Sequence, residues 1–194
     1  MYIIMTLLIL LNILILGVQR ISITIKILIF QGLLIGLIPI LRFEKELVIL
    51  GVTIIILKAI IFPTLLFNIS KKLESKTEEN PYVSYTLSSL LGIIFFLVAY
   101  KISSIYMAPI FVIIVGLFLI ITRKQAINQV IGFLIFESGI FLLGSTIAAE
   151  FPIVMEIAIL LDVVTAVLVM VLSIDKINKC FAHTDIDKLD SLKG

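Results

Sequence analysis

The protein comprises 194 residues, of which 61% are apolar and 14% are charged, and its formal net charge at pH 7 is +2. So little polar surface excludes an ordinary soluble domain of this size. The near-neutral charge gives no reason to expect a nucleic-acid partner.

Apolar runs of about 20 residues recur between short polar clusters, a pattern typical of helical membrane proteins. A membrane β-barrel would show period-two alternation, which runs such as Ile54–Leu57 lack. We therefore predict an all-α, polytopic protein that crosses the lipid bilayer about seven times. The predicted spans are 1–18, 21–41, 46–69, 83–100, 104–122, 126–149 and 153–174.

The ends and connections of these spans predict the orientation of the protein. No basic segment precedes the first span and no small-residue cleavage site follows it, so we interpret it as uncleaved. Very little separates it from the second span, which predicts a tight helical hairpin. Ten basic residues fall on one side of the membrane and three on the other. The positive-inside rule then predicts the N-terminus outside and the C-terminus in the cytoplasm.

Three ionisable side chains lie near the middle of apolar spans: Lys58 in the third, Glu137 in the sixth and Asp162 in the seventh. A charge at the centre of a membrane helix costs roughly 2.5–3.5 kcal/mol on insertion scales. Side chains retained at such a cost are typical of proton- or ion-handling sites inside the membrane.

The two carboxylates belong to neighbouring spans and lie at similar depth. Glu137 is about 11 residues into its span, roughly 16 Å along the helix axis, and Asp162 has the same relation to its own. Low dielectric favours a neutral carboxyl, whereas a nearby ammonium favours the charged form. A group balanced between the two can take up and release a proton, as a relay requires. The structural alternative is a buried ion pair, or a protonated carboxyl bonded to a neighbouring backbone.

Helical spacing predicts that both carboxylates face protein. Asp162 lies on a stripe of small residues four apart, which permits close approach by another helix. Gly132 and Gly139 share one face of the sixth span, and Glu137 aligns instead with Gly144. We expect each carboxylate to point inward or toward a partner subunit.

Further polar residues in the spans are candidates for accessory roles. Lys58 precedes Pro63, which cannot donate to the carbonyl of Ala59 and tends to kink the helix. An amine beside a freed carbonyl resembles the broken-helix sites of transporters. Gln31, midway along the second span, is either an accessory of the relay or an interhelical hydrogen-bonding residue. Glu156, near the outer end of the seventh span, is either an entry or exit group or a solvated residue at the rim.

The sequence predicts no catalytic, cofactor-binding or metal-binding set in this protein. Cys180 and His183, each the sole residue of its type, lie in the C-terminal tail. No span can therefore hold a bis-histidine haem, and the protein cannot build an iron–sulfur site by itself. No phosphate-binding glycine loop or nucleophile elbow occurs either.

Several segments resemble a known family. They are Asn128–Gly144 (NQVIGFLIFESGIFLLG), Glu156–Leu172, Thr184–Asp187 and Leu189–Gly194, with Phe30–Gln31, Leu57–Ala59 and Pro63 upstream. Together they resemble the hydrogenase-4 component E family. The last third is also similar, more distantly, to chain K of complex I and to the small C-type subunit of multisubunit cation/proton antiporters.

This resemblance implies a non-redox membrane subunit of a hydrogenase or complex I-like assembly, providing part of a proton path coupled to electron transfer elsewhere. Glu137 and Asp162 match the two buried glutamates of chain K, with an aspartate in the second place. Lys58 would modulate the proton affinity of these carboxylates or join a second segment of the path. It further implies the plasma membrane of a prokaryote. The regions are an N-terminal five-helix region, 1–122, and a chain K-like two-helix region, 123–194.

The partners that the resemblance implies are antiporter-like and H-type membrane subunits, as in complex I, and a peripheral hydrogenase or other redox module. NiFe and iron–sulfur centres are expected in those partners and not in this protein. The alternatives are a subunit of a cation/proton antiporter, an independent transporter and a structural scaffold whose charges hold helices in register. The independent transporter is disfavoured because we find no internal repeat. An intramembrane enzyme has the least support, since no nucleophile or metal set is visible.

Overall fold

A computed structural model describes residues 2–41, 43, 45–72 and 81–147. Within these residues the protein forms six apolar helical stretches and no strand. The stretches are α1 (Tyr2–Gly17), α2 (Ile21–Ile40), a third made of α3 (Lys45–Ile55), a π-helical turn (Ile56–Ile61) and α4 (Phe62–Lys72), then α5 (Tyr85–Ile102), α6 (Met107–Thr122) and α7 (Ala126–Ile147).

These stretches coincide with the first six predicted spans to within a few residues, which confirms the all-α prediction. Four of them are long and apolar enough to cross a membrane: Ile21–Ile40, Leu47–Lys71, Tyr85–Ile102 and Ala126–Thr146. Helices α1 and α6 are apolar but have 16 residues each, a rise of about 24 Å against a hydrocarbon core of about 30 Å. The predicted span 153–174 lies outside the described residues, so the count of seven and the orientation stay predictions.

Short connections end the helices where polar residues interrupt the apolar runs. Helix α1 ends at Gly17 and α2 begins at Ile21, and the two are in contact, so the tight hairpin is confirmed. Ser84 caps α5, since its hydroxyl accepts a hydrogen bond from the backbone N–H of Leu87 at 3.4 Å. Ser103 is extended and ends α5.

The core is organised around α6 and α7, which pack closely against each other. Gly132 and Gly139 both face α6, which confirms their predicted shared face. A Cβ on Gly139 would lie 2.7 Å from the backbone nitrogen of Ile113, so only glycine permits this approach. Glu137 is two positions from Gly139, about 200° around the helix. The glycine contact therefore turns Glu137 away from α6.

Helix α2 organises the other part of the bundle. It packs on α3, the π turn and α4, and it also contacts α1 and α7. Helix α5 packs on α1 and α6 with one side only and presents Leu90, Ile94 and Leu97 outward. An outward apolar face of this kind is what a membrane helix offers to lipid or to another subunit.

Candidate functional site

Lys58 is carried by the π turn in the middle of the third helical stretch. The N–H of Phe62 donates to the carbonyl of Leu57, five residues back. Pro63 has no N–H, so it cannot donate to Ala59 four residues back or to Lys58 five residues back. The interruption expected at Pro63 is therefore present, as a widened turn within a continuous helix. Single-turn π segments of this kind occur frequently at functional sites.

The side chain of Lys58 forms a buried ion pair with Glu137 of α7. The Nζ atom lies 2.5 Å from Oε2 of Glu137, and each side chain is 7% exposed. The same ammonium donates to the hydroxyl of Ser138 at 3.0 Å. Both partners lie near the centre of their helical stretches, so in a bilayer the pair would be close to the midplane.

Hydrogen bonds satisfy only part of this pair. The Ser138 hydroxyl donates to the backbone carbonyl of Leu134 at 2.7 Å, and the Phe141 ring centroid is 5.8 Å from Lys58 Nζ. Oε2 of Glu137 accepts from Lys58, whereas Oε1 is buried and has no hydrogen-bond partner among the described residues. One carboxylate oxygen is thus available to a proton, a water molecule or another polar group.

Helix α2 closes the site on the side of the π turn. A Cβ on Gly32 would lie 2.9 Å from Cβ of Lys58, so glycine is needed for this approach. The neighbouring Gln31 is 1% exposed, and neither atom of its amide has a hydrogen-bond partner in the described part of the protein. Gln31, Lys58 and Ser138 all line one cavity of about 20 Å³. The direct interhelical hydrogen bond that was one interpretation of Gln31 is not observed among the described residues.

The structure thus brings together two of the three predicted relay residues and places an accessory residue beside them. Lys58 contacts Glu137 directly, a connection that the sequence left open, and Gln31 lines the adjoining cavity. Asp162 and Glu156 lie outside the described residues. Among the described ones, no group of three His, Cys, Asp or Glu could hold a metal ion. The Lys58–Glu137 ion pair links a residue of the predicted N-terminal region, 1–122, to a residue of the predicted C-terminal region, 123–194. The division into these two regions stays a prediction.

Ser138 is a site residue that the sequence did not indicate. Adjacent residues on a helix point about 100° apart, so spacing alone gives no reason for Glu137 and Ser138 to share a partner. They do so because Lys58 approaches from another helix and its ammonium lies between them. No signal in the sequence could have shown this.

Arg123 is a second buried polar residue that the sequence did not single out. The positive-inside count treats it as a residue of a cytoplasmic connection, but it is only 2% exposed. Its guanidinium donates to the carbonyl of Leu16 at 3.3 Å and lies 4.0 Å from the centroid of the Tyr85 ring. It therefore ties the C-terminal end of α1, where carbonyls lack partners within the helix, to α5.

We expect Arg123→Lys to destabilise the protein by about 1–2 kcal/mol, because a lysine ammonium cannot both bond this carbonyl and stack on the Tyr85 ring. Thermal unfolding of the purified protein in detergent micelles measures the change. Lys124→Arg at the adjacent, exposed position is the matched control and should leave stability unchanged. If Arg123→Lys were as stable as the wild type, the contacts of Arg123 with α1 and α5 would contribute nothing measurable to stability.

Comparison with known proteins gives partial matches. No model of a known protein family matches the sequence, and no solved structure does. The uncharacterized protein Rv0085 of Mycobacterium tuberculosis is 27% identical over 186 residues, which cover 87% of this chain and 84% of the relative. Hydrogenase-4 component E of Escherichia coli K12 is 33% identical over 81 residues, 42% of this chain and 38% of the relative. The Shigella flexneri protein of that name matches to the same extent.

These comparisons support the resemblance to component E over part of the sequence. The match spans about two fifths of that relative's length. The mycobacterial protein is similar over most of both sequences, but its name carries no function. The protein is therefore similar to hydrogenase-4 component E in one region.

Proposed function

We propose that this protein is a membrane subunit of a hydrogenase or complex I-like assembly and that Glu137, Lys58 and Asp162 form part of its proton path. The observation that carries this proposal is the Lys58–Glu137 ion pair, buried at the centre of two apolar helices. The partial similarity to hydrogenase-4 component E supports it independently. Redox centres of the NiFe and iron–sulfur type would then belong to partner subunits.

The geometry of the pair suits a proton relay. One oxygen of Glu137 bonds Lys58, and the other has no partner among the described residues. A proton that arrives at this second oxygen neutralises the carboxylate and weakens its attraction to the ammonium, which keeps Ser138 as an acceptor. When the proton leaves, the ion pair forms again.

The protonated state of this site carries a net positive charge, which is costly in a medium of low dielectric. A second carboxylate at similar depth would stabilise that state and receive the proton in turn. We assign this role to Asp162, with Glu156 as an entry or exit group at the outer end of the same predicted span.

Replacing Glu137 by glutamine tests the proposed path. Glutamine keeps the size of the side chain and an acceptor for Lys58 but cannot exchange a proton. We expect Glu137→Gln to lower proton translocation by the purified assembly in liposomes by about tenfold or more, on the scale of lost proton-transfer groups. A pH-sensitive dye inside the vesicles measures the rate, and native gel electrophoresis measures assembly.

The matched control is Ser145→Ala, which removes another buried polar group from α7 about two turns away. It should leave translocation and assembly near wild-type levels. Normal translocation by a fully assembled Glu137→Gln variant would contradict the relay. Asp162→Asn is expected to behave like Glu137→Gln in the same assay.

A structural scaffold is the second candidate function. The short distance within the ion pair and the close approach of Gly32 to Lys58 favour it, because both tie α2, the π turn and α7 into one arrangement. For a scaffold, apolar side chains of matched size in place of both charges should preserve assembly and coupling together. If the pair is a relay, the same double replacement should preserve assembly but abolish coupling.

A further inference from the structure

The Gln31 side chain is buried in the middle of α2 with unused hydrogen-bonding capacity. An amide carries two donors and two acceptor lone pairs, and neither its nitrogen nor its oxygen is bonded within the described residues. Leaving such a group unsatisfied is costly in a protein interior. A ligand able to bond it would therefore be strongly favoured at this position.

The cavity that Gln31 lines has the size for such a ligand. Its volume of about 20 Å³ exceeds the 10–15 Å³ that one water molecule needs. Apolar side chains form most of the wall, among them Leu28 and Leu66. Three of the lining residues, Gln31, Lys58 and Ser138, have polar side chains, and they lie on three different helical stretches.

Lys58 and Ser138 each keep one hydrogen-bonding position in addition to the bonds already described. The ammonium has three donors, of which Glu137 and Ser138 occupy two. The Ser138 hydroxyl donates to Leu134, and one of its two lone pairs accepts from Lys58. With Gln31, the cavity therefore offers up to three polar partners, within the range that buried waters have in proteins.

We propose that this cavity is a binding site for one water molecule that connects the Gln31 amide to Lys58 and Ser138. The water would connect the polar residues of α7 and the π turn to α2. Gln31 would be the positioning residue that hydrogen-bonds the water from α2. The role of this water in transport rests on the proposed proton path, whereas its binding does not.

An alkali cation fits the same cavity poorly. The Lys58 ammonium forms part of the wall, so a sodium or potassium ion would bind beside a like charge in a medium of low dielectric. No carboxylate lines the cavity among the described residues. The chemistry of the wall therefore favours a neutral ligand with both donor and acceptor groups, and the volume accommodates one water molecule.

Infrared difference spectroscopy of the full-length protein in lipid nanodiscs tests the site. A buried water gives a sharp O–H stretching band that shifts when H₂¹⁶O is exchanged for H₂¹⁸O. We expect this band in the wild type and its loss in Gln31→Met, which keeps side-chain length but removes both polar atoms. Leu66→Phe, which fills the cavity and leaves Gln31 intact, should lose the same band.

Asn12→Leu is the matched control. Asn12 is a fully buried residue of α1. Its Oδ1 atom also has no hydrogen-bond partner among the described residues, but Asn12 does not line this cavity. The band should persist in this variant. A wild type without the band, or a band that survives both Gln31→Met and Leu66→Phe, would overturn the water site whatever the transport assays give. Normal translocation by Glu137→Gln would instead overturn the proton path and leave the water site standing.

Discussion

Lys58→Met should destabilise the protein by about 3–5 kcal/mol, the usual cost of removing one partner of a buried ion pair. Methionine fills much of the space of the lysine stem, so lost packing contributes little to this expectation. Glu137 would remain buried with Ser138 beside it but without its ammonium partner. Thermal unfolding in detergent and the yield of assembled complex both measure the effect.

The double variant Lys58→Met/Glu137→Met, compared with the two single variants, measures the coupling between the two residues. Removing both charges leaves no unpaired ion, and well-packed apolar replacements of buried pairs are often neutral or stabilising. We expect the double variant to recover most of the stability lost in Lys58→Met, since the two residues contact each other and their effects are not additive. A double variant whose loss of stability equals the sum of the losses in the single variants Lys58→Met and Glu137→Met would mean that the pair contributes no coupling energy.

Translocation by the same double variant separates a relay from a scaffold. A relay requires the titrating carboxyl, so the variant should assemble and yet fail to move protons. A scaffold requires only that the helices keep their register, so the variant should assemble and couple normally. Recovery of both properties would refute the proton path and support the structural alternative.

Gly139→Ala should destabilise the protein by about 3 kcal/mol, at the upper end of the range for overpacking. The added Cβ would lie 2.7 Å from the backbone nitrogen of Ile113, and backbone atoms of a packed helix cannot move aside as a flexible side chain can. Relief of the clash requires α6 and α7 to separate along their contact. Because Glu137 is on the opposite side of α7, the ion pair should also shift, and proton translocation should fall with stability.

Gly92→Ala is the control for this glycine. A Cβ there would approach only the Cδ1 atom of Leu16, at 2.8 Å, and the end of a leucine side chain can rotate away. We expect a change in stability within about 0.5 kcal/mol. Equal effects of the two substitutions, in thermal unfolding under the same detergent conditions, would show that the α6–α7 contact is not limited by backbone approach.

Much of the fold could be predicted because membrane helices leave a direct signal in sequence. The boundaries of α2, α5 and α7 follow from apolar runs that end at charged or polar residues, and the hairpin of α1 and α2 follows from the short connection. That Gly132 and Gly139 share a face followed from their spacing, whereas only the structure shows that this face packs on α6. The π turn was predicted only as an interruption at Pro63, since the way a helix accommodates a proline depends on what packs against it.

The candidate site could be predicted in composition but not in arrangement. Apolar context alone marks Lys58, Glu137 and Gln31 as anomalous, because each lies at the middle of a run that would otherwise contain no polar group. Asp162 and Glu156 were predicted on the same basis and lie outside the described residues. The burial of Arg123 was missed, since a charged residue at a helix end ordinarily reaches solvent and only the packing of α1 and α5 around it shows otherwise.

What the sequence by itself determined is therefore the helical membrane architecture and the identity of the buried ionisable residues, because both depend on local composition and on the cost of polar groups in lipid. What only the tertiary structure decided is that Lys58 is the partner of Glu137, that Ser138 joins them and that Gln31 faces the same cavity. Residues 79 positions apart meet here because glycine contacts on α2 and α7 fix how the helices are rotated. That rotation is a property of packing and leaves no periodic trace in the sequence.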